Sequence, residues 1–389
     1  MRVAVVHSFY RSGVPSGENV VVDAQIRALE GAGHDVLLVA QHSDERLRRR
    51  TYPLEAAATT VTGLGPDPVG ALVAFRPDVV HVHNLFPNFG TRWLPDWPGR
   101  LVATLHNFRP MCAAGTLCRD GEICTRCGDG DPWAAVRYRC YRGSRVATLP
   151  LAWRNRGGVS RDAVVRRADA LVVISDRARD VYTAAGVPAD RLHVVPNFVD
   201  PPPDPVGRPD SQDRWLFVGR LSAEKGLAEL LKVWPRGEYL DVIGDGPDRA
   251  GLMATAPAGV RFLGQLPHDE VRTRMPGHLG LVFPSVWFEA GPPQVYIEAL
   301  AAGLPTLAID GNGTSDDIVR HGLGIVVGRK PTIGHIAAAL DALRTARPEL
   351  SPRCRESYGS RFRSDGWLAT IERVYAGVPE IATGTAPER

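Results

Sequence analysis

The 389-residue sequence predicts an α/β protein with two domains, each built around a parallel sheet. Short β-branched runs alternate with helical patterns along the chain, and strand–helix–strand repetition is typical of parallel sheets. The chain is also longer than the roughly 250–300 residues at which a single hydrophobic core stops growing. A stretch of prolines and polar residues at 200–213 divides the pattern into two sets.

The first set contains five expected strands, at 2–6, 35–40, 78–83, 101–105 and 170–174. The second set contains six, at 215–218, 240–243, 260–263, 279–283, 305–309 and 324–327. Together they predict two Rossmann-like domains, at 1–198 and 214–360, joined by a linker at 199–213. The pattern is helical again from 353 to 375, and the tail at 383–389 is expected to be disordered.

Composition and charge exclude several classes of protein. The net charge of +3 is too small to indicate nucleic-acid binding by itself. No run approaches the ~20 apolar residues of a membrane span, and the amino-terminus begins with a strand pattern instead of a signal peptide, so we expect a cytoplasmic protein. The arginine-rich run at 46–50 could contact the inner face of an anionic membrane, although such runs are more often solvated helix faces. Arginine supplies 43 of the 46 basic residues, which is typical of a GC-rich bacterial genome.

The stretch at 283–306 is the most informative part of the sequence. It places Glu289 and Glu298 around a Gly-Pro turn between an apolar strand and a helix. Ligands of parallel sheets bind beyond the carboxyl ends of the strands, and helix amino-termini attract phosphate. Glu298, expected at the start of the helix, could accept hydrogen bonds from two ribose hydroxyls. The alternative is a solvated loop residue and a charge favoured by the helix dipole.

Two cations follow the strand at 215–218. Arg220 and Lys225 are expected at its carboxyl end, where they suit a diphosphate whose charge grows as a sugar leaves. The alternative is an exposed loop with ordinary charges. Because Lys225 is one of only three lysines in the chain, we favour a functional role.

Glycine and histidine mark the strand ends of the first domain. Gly17 lies in the loop after the first strand, where glycine lets the backbone approach a phosphate or an acceptor closely. Histidines end two later strands, at His81 and His83 and at His106. A hydrogen-bonded structural histidine is the alternative, and we favour it for His81 and His83 but not for His106.

Five of the six cysteines fall within 29 consecutive residues. Cys124 and Cys127 have the spacing of a metal knuckle, and disulfides are unusual in a cytosolic protein. We therefore expect a possible structural zinc site formed by Cys112, Cys124, Cys127 and Cys140, with Cys118 left over. The alternative is a set of buried, reduced thiols that only pack.

These motifs resemble those of the retaining glycosyltransferases of family 4, the group 1 glycosyl transferases. Glu289 and Glu298 are similar to the family's pair of glutamates, although they lie nine positions apart where the family has eight. Arg220 and Lys225 match its GR…KG motif, and its PNGVD and GDGP elements have counterparts at 196–200 and 244–247. The insert at 107–145 resembles the Cys-bearing insert of polysaccharide-type or natural-product-type members.

The resemblance implies the GT-B fold, in which two Rossmann-like domains face a central cleft and a last helix, here 361–382, crosses back to the first domain. It implies a nucleotide-sugar donor, a hydroxyl acceptor on a saccharide, a lipid-linked saccharide or a natural product, retention of configuration and no cofactor required for catalysis. The catalytic residues would be His106, Glu289, Arg220 and Lys225. The donor-binding residues would be Gly17, Arg220, Lys225, Gly291, Gln294 and Glu298.

Other functions stay open at this point. An epimerase or a phosphorylase of the same fold would present similar motifs. A catalytically idle sugar-nucleotide-binding partner protein is the alternative from a different class, kept open by the unusual glutamate spacing. Nucleic-acid binding by the cysteine segment is disfavoured, because the segment has few aromatic residues and lies inside an enzyme-like domain.

Overall fold

The computed structural model describes residues 1–11, 16–120, 122–201 and 213–378. Four predictions lie wholly or partly outside these residues. They are part of the glycine-containing loop (12–15), most of the linker (202–212), the end of the last helix (379–382) and the disordered tail (383–389).

The strands of the described residues are, in chain order, β1 (Arg2–Phe9), β2 (Asp35–His42), β3 (Val79–Asn84), β4 (Arg100–Leu105), β5 (Cys118–Arg119), β6 (Glu122–Ile123), β7 (Ala170–Val173), β8 (Leu192–Val194), β9 (Arg214–Val218), β10 (Tyr239–Ile243), β11 (Val260–Gly264), β12 (Leu281–Phe283), β13 (Thr306–Ile309) and β14 (Gly324–Val327). The α-helices are α1 (Gly17–Gly31), α2 (Ser43–Leu47), α3 (Tyr52–Thr62), α4 (Val69–Phe75), α5 (Ala134–Arg137), α6 (Arg145–Asn155), α7 (Ala163–Arg167), α8 (Asp176–Ala184), α9 (Leu227–Lys232), α10 (Arg249–Thr255), α11 (His268–Arg274), α12 (Gln294–Ala301), α13 (Gly313–His321), α14 (Ile333–Arg361) and α15 (Ser364–Ala376).

The first sheet has six parallel strands in the order β2-β1-β3-β4-β7-β8. Its central strands are largely apolar because helices cover both faces, although β3 also buries His81 and His83. On one face, Val3 and Val5 pack with α1 and α15; on the other, Val6 and Val82 pack with α4 and α8. The strand order changes direction between β1 and β3, so the loops that follow these strands diverge and leave a crevice.

The second sheet also has six parallel strands, in the order β11-β10-β9-β12-β13-β14. This is the strand order of the Rossmann fold, and its direction changes between β9 and β12. The loops that follow these two strands are 219–226 and 284–293. They carry Arg220, Lys225 and Glu289, so the topology brings the predicted donor residues to one crevice. The predicted α/β class with two parallel sheets is confirmed.

The last helix packs on the first sheet although it follows the second in the chain. Trp367 and Ile371 of α15 are buried beside β1, and the Tyr375 hydroxyl lies 2.7 Å from Nδ1 of His81 on β3. The helical stretch expected at 353–375 is divided, since α14 ends at Arg361 and α15 begins at Ser364. The domain limits drawn from the sequence stay predictions.

The segment at 107–145, of which Gly121 lies outside the described residues, follows the carboxyl end of β4 and forms a small subdomain. It contains the antiparallel hairpin β5–β6 and the short helix α5. The Cys118 thiol lies 3.8 Å from the carbonyl oxygen of Val286, and Glu122 pairs with Arg329 at 3.0 Å. The hairpin therefore reaches the second domain.

The helices of the described part of the chain include none with the length and apolar character needed to cross a membrane.

Candidate active site

The loop after β9 lies directly against the end of β12. A Cβ atom on Gly226 would come within 2.0 Å of the Pro284 carbonyl oxygen, and the residue has φ +71°, so only glycine fits this contact. The close approach brings Lys225 Nζ to 3.1 Å from Glu289 Oε1 and to 4.8 Å from the ring centroid of Trp287. Lys225 and Glu289, predicted separately, thus form one ion pair at the crevice of the second sheet.

Glu289 is only 5% exposed, and its two carboxylate oxygens have different surroundings. Oε1 accepts hydrogen bonds from Lys225, from Trp287 Nε1 at 2.5 Å and from Ser285 Oγ at 3.3 Å. Oε2 is buried and has no partner among the described residues. A buried polar atom without a partner is destabilising, so Oε2 is the atom that a ligand hydroxyl would satisfy.

Helix α12 begins at Gln294, and no side chain caps its amino-terminus, because the preceding residue is Pro293. The first backbone N–H groups of a helix have no intrahelical partner and favour an anion. The Gln294 side chain adds a buried Nε2 without a partner in the described structure. The helix start is therefore a suitable place for a diphosphate oxygen.

Glu298 is not at the start of α12, as the sequence predicted, but at its fifth position. The helix dipole acts mainly within the first turn, so it accounts less well for this carboxylate. Its Oε1 lies 2.5 Å from Nε2 of His268, the first residue of α11, and this hydrogen bond raises the pKa of His268. Sequence analysis missed His268, although it closes the turn after an expected strand in the same domain.

Arg220 is exposed, and within the described ranges its guanidinium has no ion pair or side-chain hydrogen bond. It differs in this respect from Lys225, which Glu289 already holds. An unpaired guanidinium at the carboxyl end of β9 is available to an anionic ligand without breaking an internal contact.

Gly291 lies at the contact between the two domains. A Cβ atom there would come within 2.7 Å of the Ile174 carbonyl oxygen, at the end of β7. Beside it, Ser175 Oγ donates to the Ala290 carbonyl oxygen at 2.5 Å, and the Phe288 ring lies 5.4 Å from that of Phe108. The glycine is needed for this domain contact; its predicted donor-binding role stays a prediction.

His106 follows β4 and is partly buried beside the buried His81 and His83. Its Nε2 lies 2.9 Å from Nδ1 of His83, while His81 bonds to the hydroxyls of Tyr375 and Thr104. Burial lowers the pKa of both His81 and His106 to about 3. His106 is therefore neutral at pH 7 and can offer a substrate a hydrogen bond but not a positive charge. His81 has the structural role favoured for it.

The crevice of the first sheet contains polar residues that sequence analysis did not select. Asn84, the last residue of β3, donates to the Tyr10 hydroxyl at 2.8 Å, and Asn107, after β4, donates to Glu18 Oε2 at 3.4 Å. Burial raises the pKa of Glu18 to about 7, and its Oε1 has no partner in the described structure. Sequence analysis could have found Asn84 and Asn107 from their position, because each is a polar residue at the carboxyl end of a strand. A Cβ atom on Gly17 would meet no atom of the described residues within 4 Å.

A cavity of about 230 Å³ opens beside these residues, at the carboxyl ends of β3 and β4. Its polar lining includes His83, Asn84, His106, Asn107 and Arg109. Arg154, Arg156 and Arg161, at and beyond the end of α6, line it as well. The first domain therefore offers a separate polar cavity that contains His106.

The four cysteines chosen for zinc lie near one another. Burial, followed by the neighbouring Cys112 and Cys140, raises the pKa of the Cys127 thiol to about 12, and burial also raises that of Cys140. None of the six cysteines, all of which lie in the described ranges, forms a disulfide. The described residues contain no group of three or more His, Cys, Asp or Glu side chains arranged to hold a metal ion. The zinc site, with Cys124 as its fourth ligand, stays a prediction.

Comparison with known proteins agrees with this geometry. The family described as Glycosyltransferase Family 4 matches residues 15–202, and Glycosyl transferases group 1 matches residues 203–358. A GDP-mannose-dependent alpha-mannosyltransferase of Mycobacterium tuberculosis is 32% identical over 365 residues, which are 84% of this chain and 84% of that protein. A glycogen synthase of the same species is 25% identical over 331 residues, 81% of this chain and 72% of that protein.

Among solved structures, a sucrose-phosphate synthase from Thermosynechococcus elongatus has a TM-score of 0.68 and 15% sequence identity. The similarity covers 97% of this chain and 98% of that one, so it extends over both sheets. The chain has the GT-B fold and belongs to glycosyltransferase family 4, the group 1 glycosyl transferases.

Proposed function

We propose that the protein transfers a sugar from a nucleoside-diphosphate donor to a hydroxyl acceptor with retention of anomeric configuration. The observation that carries the proposal is the meeting of Lys225 and Glu289 where the strand order of the second sheet changes direction, beside the uncapped start of α12. A cation, a carboxylate with an unsatisfied oxygen and a helix amino-terminus are the groups that a sugar diphosphate needs.

Each group has a separate role in this proposal. Arg220, Lys225 and the amino-terminus of α12 near Gln294 stabilise the diphosphate as it leaves, when its negative charge is greatest. Glu298 binds the ribose. Glu289 binds a hydroxyl of the sugar through its free Oε2 and, with the Gly291 backbone, positions the ring.

Retention is proposed from the family resemblance. In the route favoured for the family, the acceptor attacks from the face that the diphosphate leaves, and a phosphate oxygen takes the acceptor proton. This route needs no carboxylate nucleophile and no cofactor, because Arg220 and Lys225 already compensate the growing charge. His106, which is neutral, would stabilise the sugar hydroxyls by a hydrogen bond.

The donor sugar and the acceptor are proposed only by class. The mannosyltransferase relative is named as GDP-mannose-dependent, so hexosyl transfer from GDP-mannose or a related nucleotide sugar is the first candidate. The polar cavity of the first domain would hold the hydroxyl acceptor, on a saccharide, a lipid-linked saccharide or a natural product.

A thermal-shift screen of UDP-, GDP- and dTDP-sugars tests the donor site. One donor should raise the melting temperature, and Arg220→Ala and Glu298→Ala should each abolish the shift. At a donor concentration of 100 times Kd, the expected stabilisation is about 2.7 kcal/mol. Arg236→Ala is the matched control, since this exposed arginine lies in the loop before β10, at the opposite end of the sheet. A shift that is equal in all four proteins would refute the site.

Product analysis then separates transfer from the other reactions of this fold. Nucleoside diphosphate should be released only when a hydroxyl acceptor is present, and the new glycosidic bond should keep the anomeric configuration of the donor. Release that requires inorganic phosphate would indicate a phosphorylase, and conversion of the donor without an acceptor would indicate an epimerase.

A further inference from the structure

The segment 132–161 of the first domain has an unusual composition. It contains seven arginines and no aspartate or glutamate. Helix α6 forms its second half. Arg137 and Arg154 pair with Asp131 and Asp162, which flank the segment, whereas the other five arginines have no ion pair with any described residue. In a chain whose net charge is only +3, the segment still concentrates positive charge on one part of the surface. Such a concentration favours an anionic partner.

Helix α6 turns an apolar face to solvent. Val146 is 82% exposed, and Leu149 and Trp153 are exposed as well. Their spacing of three and four residues places them on one side of the helix. Trp133 is also exposed and lies edge-on to Trp153, with 6.4 Å between ring centroids. We call these four side chains the α6 face.

The opposite side of α6 packs into the domain, so the fold does not depend on the α6 face. Thr148, Leu151, Ala152 and Asn155 are the buried residues of α6. Exposed apolar side chains grouped on one helix face are typical of an interaction surface.

Arginines surround the α6 face. The guanidinium of Arg156 lies 3.9 Å over the Trp153 ring, and Arg142 and Arg145 are exposed at the start of the helix. Arg142 and Arg145 have no ion pair with any described residue, so their charge is not compensated internally. Exposed aliphatic and tryptophan side chains bordered by arginine suit a bilayer interface with anionic headgroups. A nucleic acid could pair with the arginines but would not account for the exposed aliphatic side chains of Val146 and Leu149.

The α6 face also lies close to the polar cavity of the first domain. Arg154 of α6 and Arg156, immediately after it, line that cavity together with Asn84 and Asn107. A surface that rests on the α6 face would therefore be near the cavity in which we place the acceptor.

We propose that the α6 face docks the protein on an anionic lipid bilayer, and that the acceptor hydroxyl is carried by a molecule anchored in that bilayer. The docking surface differs from the run at 46–50 predicted from the sequence, which has no large exposed apolar side chain. The statement about the acceptor rests on the proposed transferase function, whereas the docking itself does not.

Vesicle flotation of the whole protein tests the docking. The protein should float with vesicles of phosphatidylcholine and phosphatidylglycerol, and at least about tenfold less should float with phosphatidylcholine alone or in high salt. The triple variant Val146→Ser, Leu149→Ser, Trp153→Ser should reduce flotation on the order of tenfold, as should Arg142→Gln with Arg145→Gln. The control is Val319→Ser with Met253→Ser, which removes exposed apolar side chains from the second domain and should change nothing.

The possible results separate this inference from the transferase proposal. Donor-induced stabilisation should be unchanged in the α6 variants, which also shows that they are folded. Failure of the wild-type protein to float, equal flotation of the α6 variants or equal binding to neutral vesicles would each overturn the docking. A change of oligomeric state in the triple variant without vesicle binding would identify the α6 face as a protein contact instead. If Arg220→Ala loses turnover but floats normally with vesicles, the loss concerns the donor site alone and leaves the docking proposal standing.

Discussion

Lys225 is the single residue whose removal should affect turnover most. Its ammonium group joins the β9 loop to Glu289 and faces the place proposed for the diphosphate. Removing one fixed donor from a transition-state charge typically lowers the rate 10²–10³-fold, or about 3–4 kcal/mol. We expect Lys225→Ala to lower kcat/KM by this factor, with Arg236→Ala as the control. A decrease of less than about threefold would remove Lys225 from the mechanism.

The His268–Glu298 pair should make donor binding depend on pH. The bond to Glu298 raises the pKa of His268, with Arg272 opposing and Asp269 supporting the shift. Below this raised pKa the imidazolium holds the carboxylate tightly; as the pH rises through it, the ion pair is lost and Glu298 becomes free to accept ribose hydroxyls. We therefore expect the KM for the donor to fall severalfold between pH 6 and pH 8.

The matched variants for this prediction are His268→Gln and His335→Gln. Glutamine at 268 keeps a hydrogen-bond donor but cannot titrate, so the pH dependence of KM should disappear. The exposed His335, at the start of α14, should be replaceable without effect. A KM that rises with pH in the wild-type protein would mean that the imidazolium contacts the diphosphate instead.

Some site residues could be predicted from the sequence and others could not, for a physical reason. Arg220, Lys225 and Glu289 lie in the loops that follow β9 and β12, and parallel strands place their carboxyl ends at one edge of the sheet. His268 contacts Glu298 across 30 residues of chain and from a separate helix. No local pattern encodes that contact, because it depends on how α11 packs beside α12.

Histidines on β1, on β3 and directly after β4 should make the first domain sensitive to acid. Burial lowers the pKa of His81 and His106 to about 3 and that of His7 to about 4. The unfolded chain would bind protons from about pH 6.5 downward, so stability is full above that pH and is lost as the pH falls toward the folded values. We expect a loss on the order of 2 kcal/mol per histidine at pH 5.

Unfolding by urea, followed by circular dichroism from pH 7.5 to 4.5, measures this loss. The His81→Gln variant should show a shallower decrease than the wild-type protein, since one buried group no longer titrates. His335→Gln, in the second domain and exposed, should keep the wild-type slope. A free energy of unfolding that is constant over this range would contradict the prediction.

The elements themselves were predictable where they are long and buried. The central strands are largely apolar because helices cover both faces, whereas β8 was missed because only Leu192 of its three residues is fully buried. Pro348 and Pro352 lie inside α14, although proline usually ends a helix. The division between α14 and α15 at 362–363 has no glycine or proline to mark it. Tertiary packing decides these boundaries.

The contact between the two domains is the part of the molecule that the sequence did not predict. Phe288 and Ala290 belong by sequence to the second domain, yet they pack in the core cluster of the first. Arg177, on α8, lies with its guanidinium 4.5 Å from the Phe288 ring centroid and pairs with Asp316 of α13. The loop that carries Glu289 is thus held by residues more than 100 positions earlier in the chain.

Arg177 should therefore influence how far the cleft closes. It contacts both the loop beside Glu289 and α13, so its removal weakens the closed arrangement without touching the proposed diphosphate site. A partly exposed ion pair contributes up to about 1 kcal/mol, which changes an open-to-closed ratio by roughly fivefold. We expect X-ray scattering to give Arg177→Ala a larger radius of gyration than the wild-type protein when no donor is present. We also expect a severalfold higher KM for the donor.

Saturating donor should compact both proteins to the same radius of gyration, because donor binding adds contacts only in the closed form. Arg166→Ala is the control, since Arg166 is exposed on α7 of the first domain, has no ion pair with any described residue and should leave both measurements unchanged. Identical scattering from all three proteins, with and without donor, would show that the domains do not move and that Arg177 has only a local role.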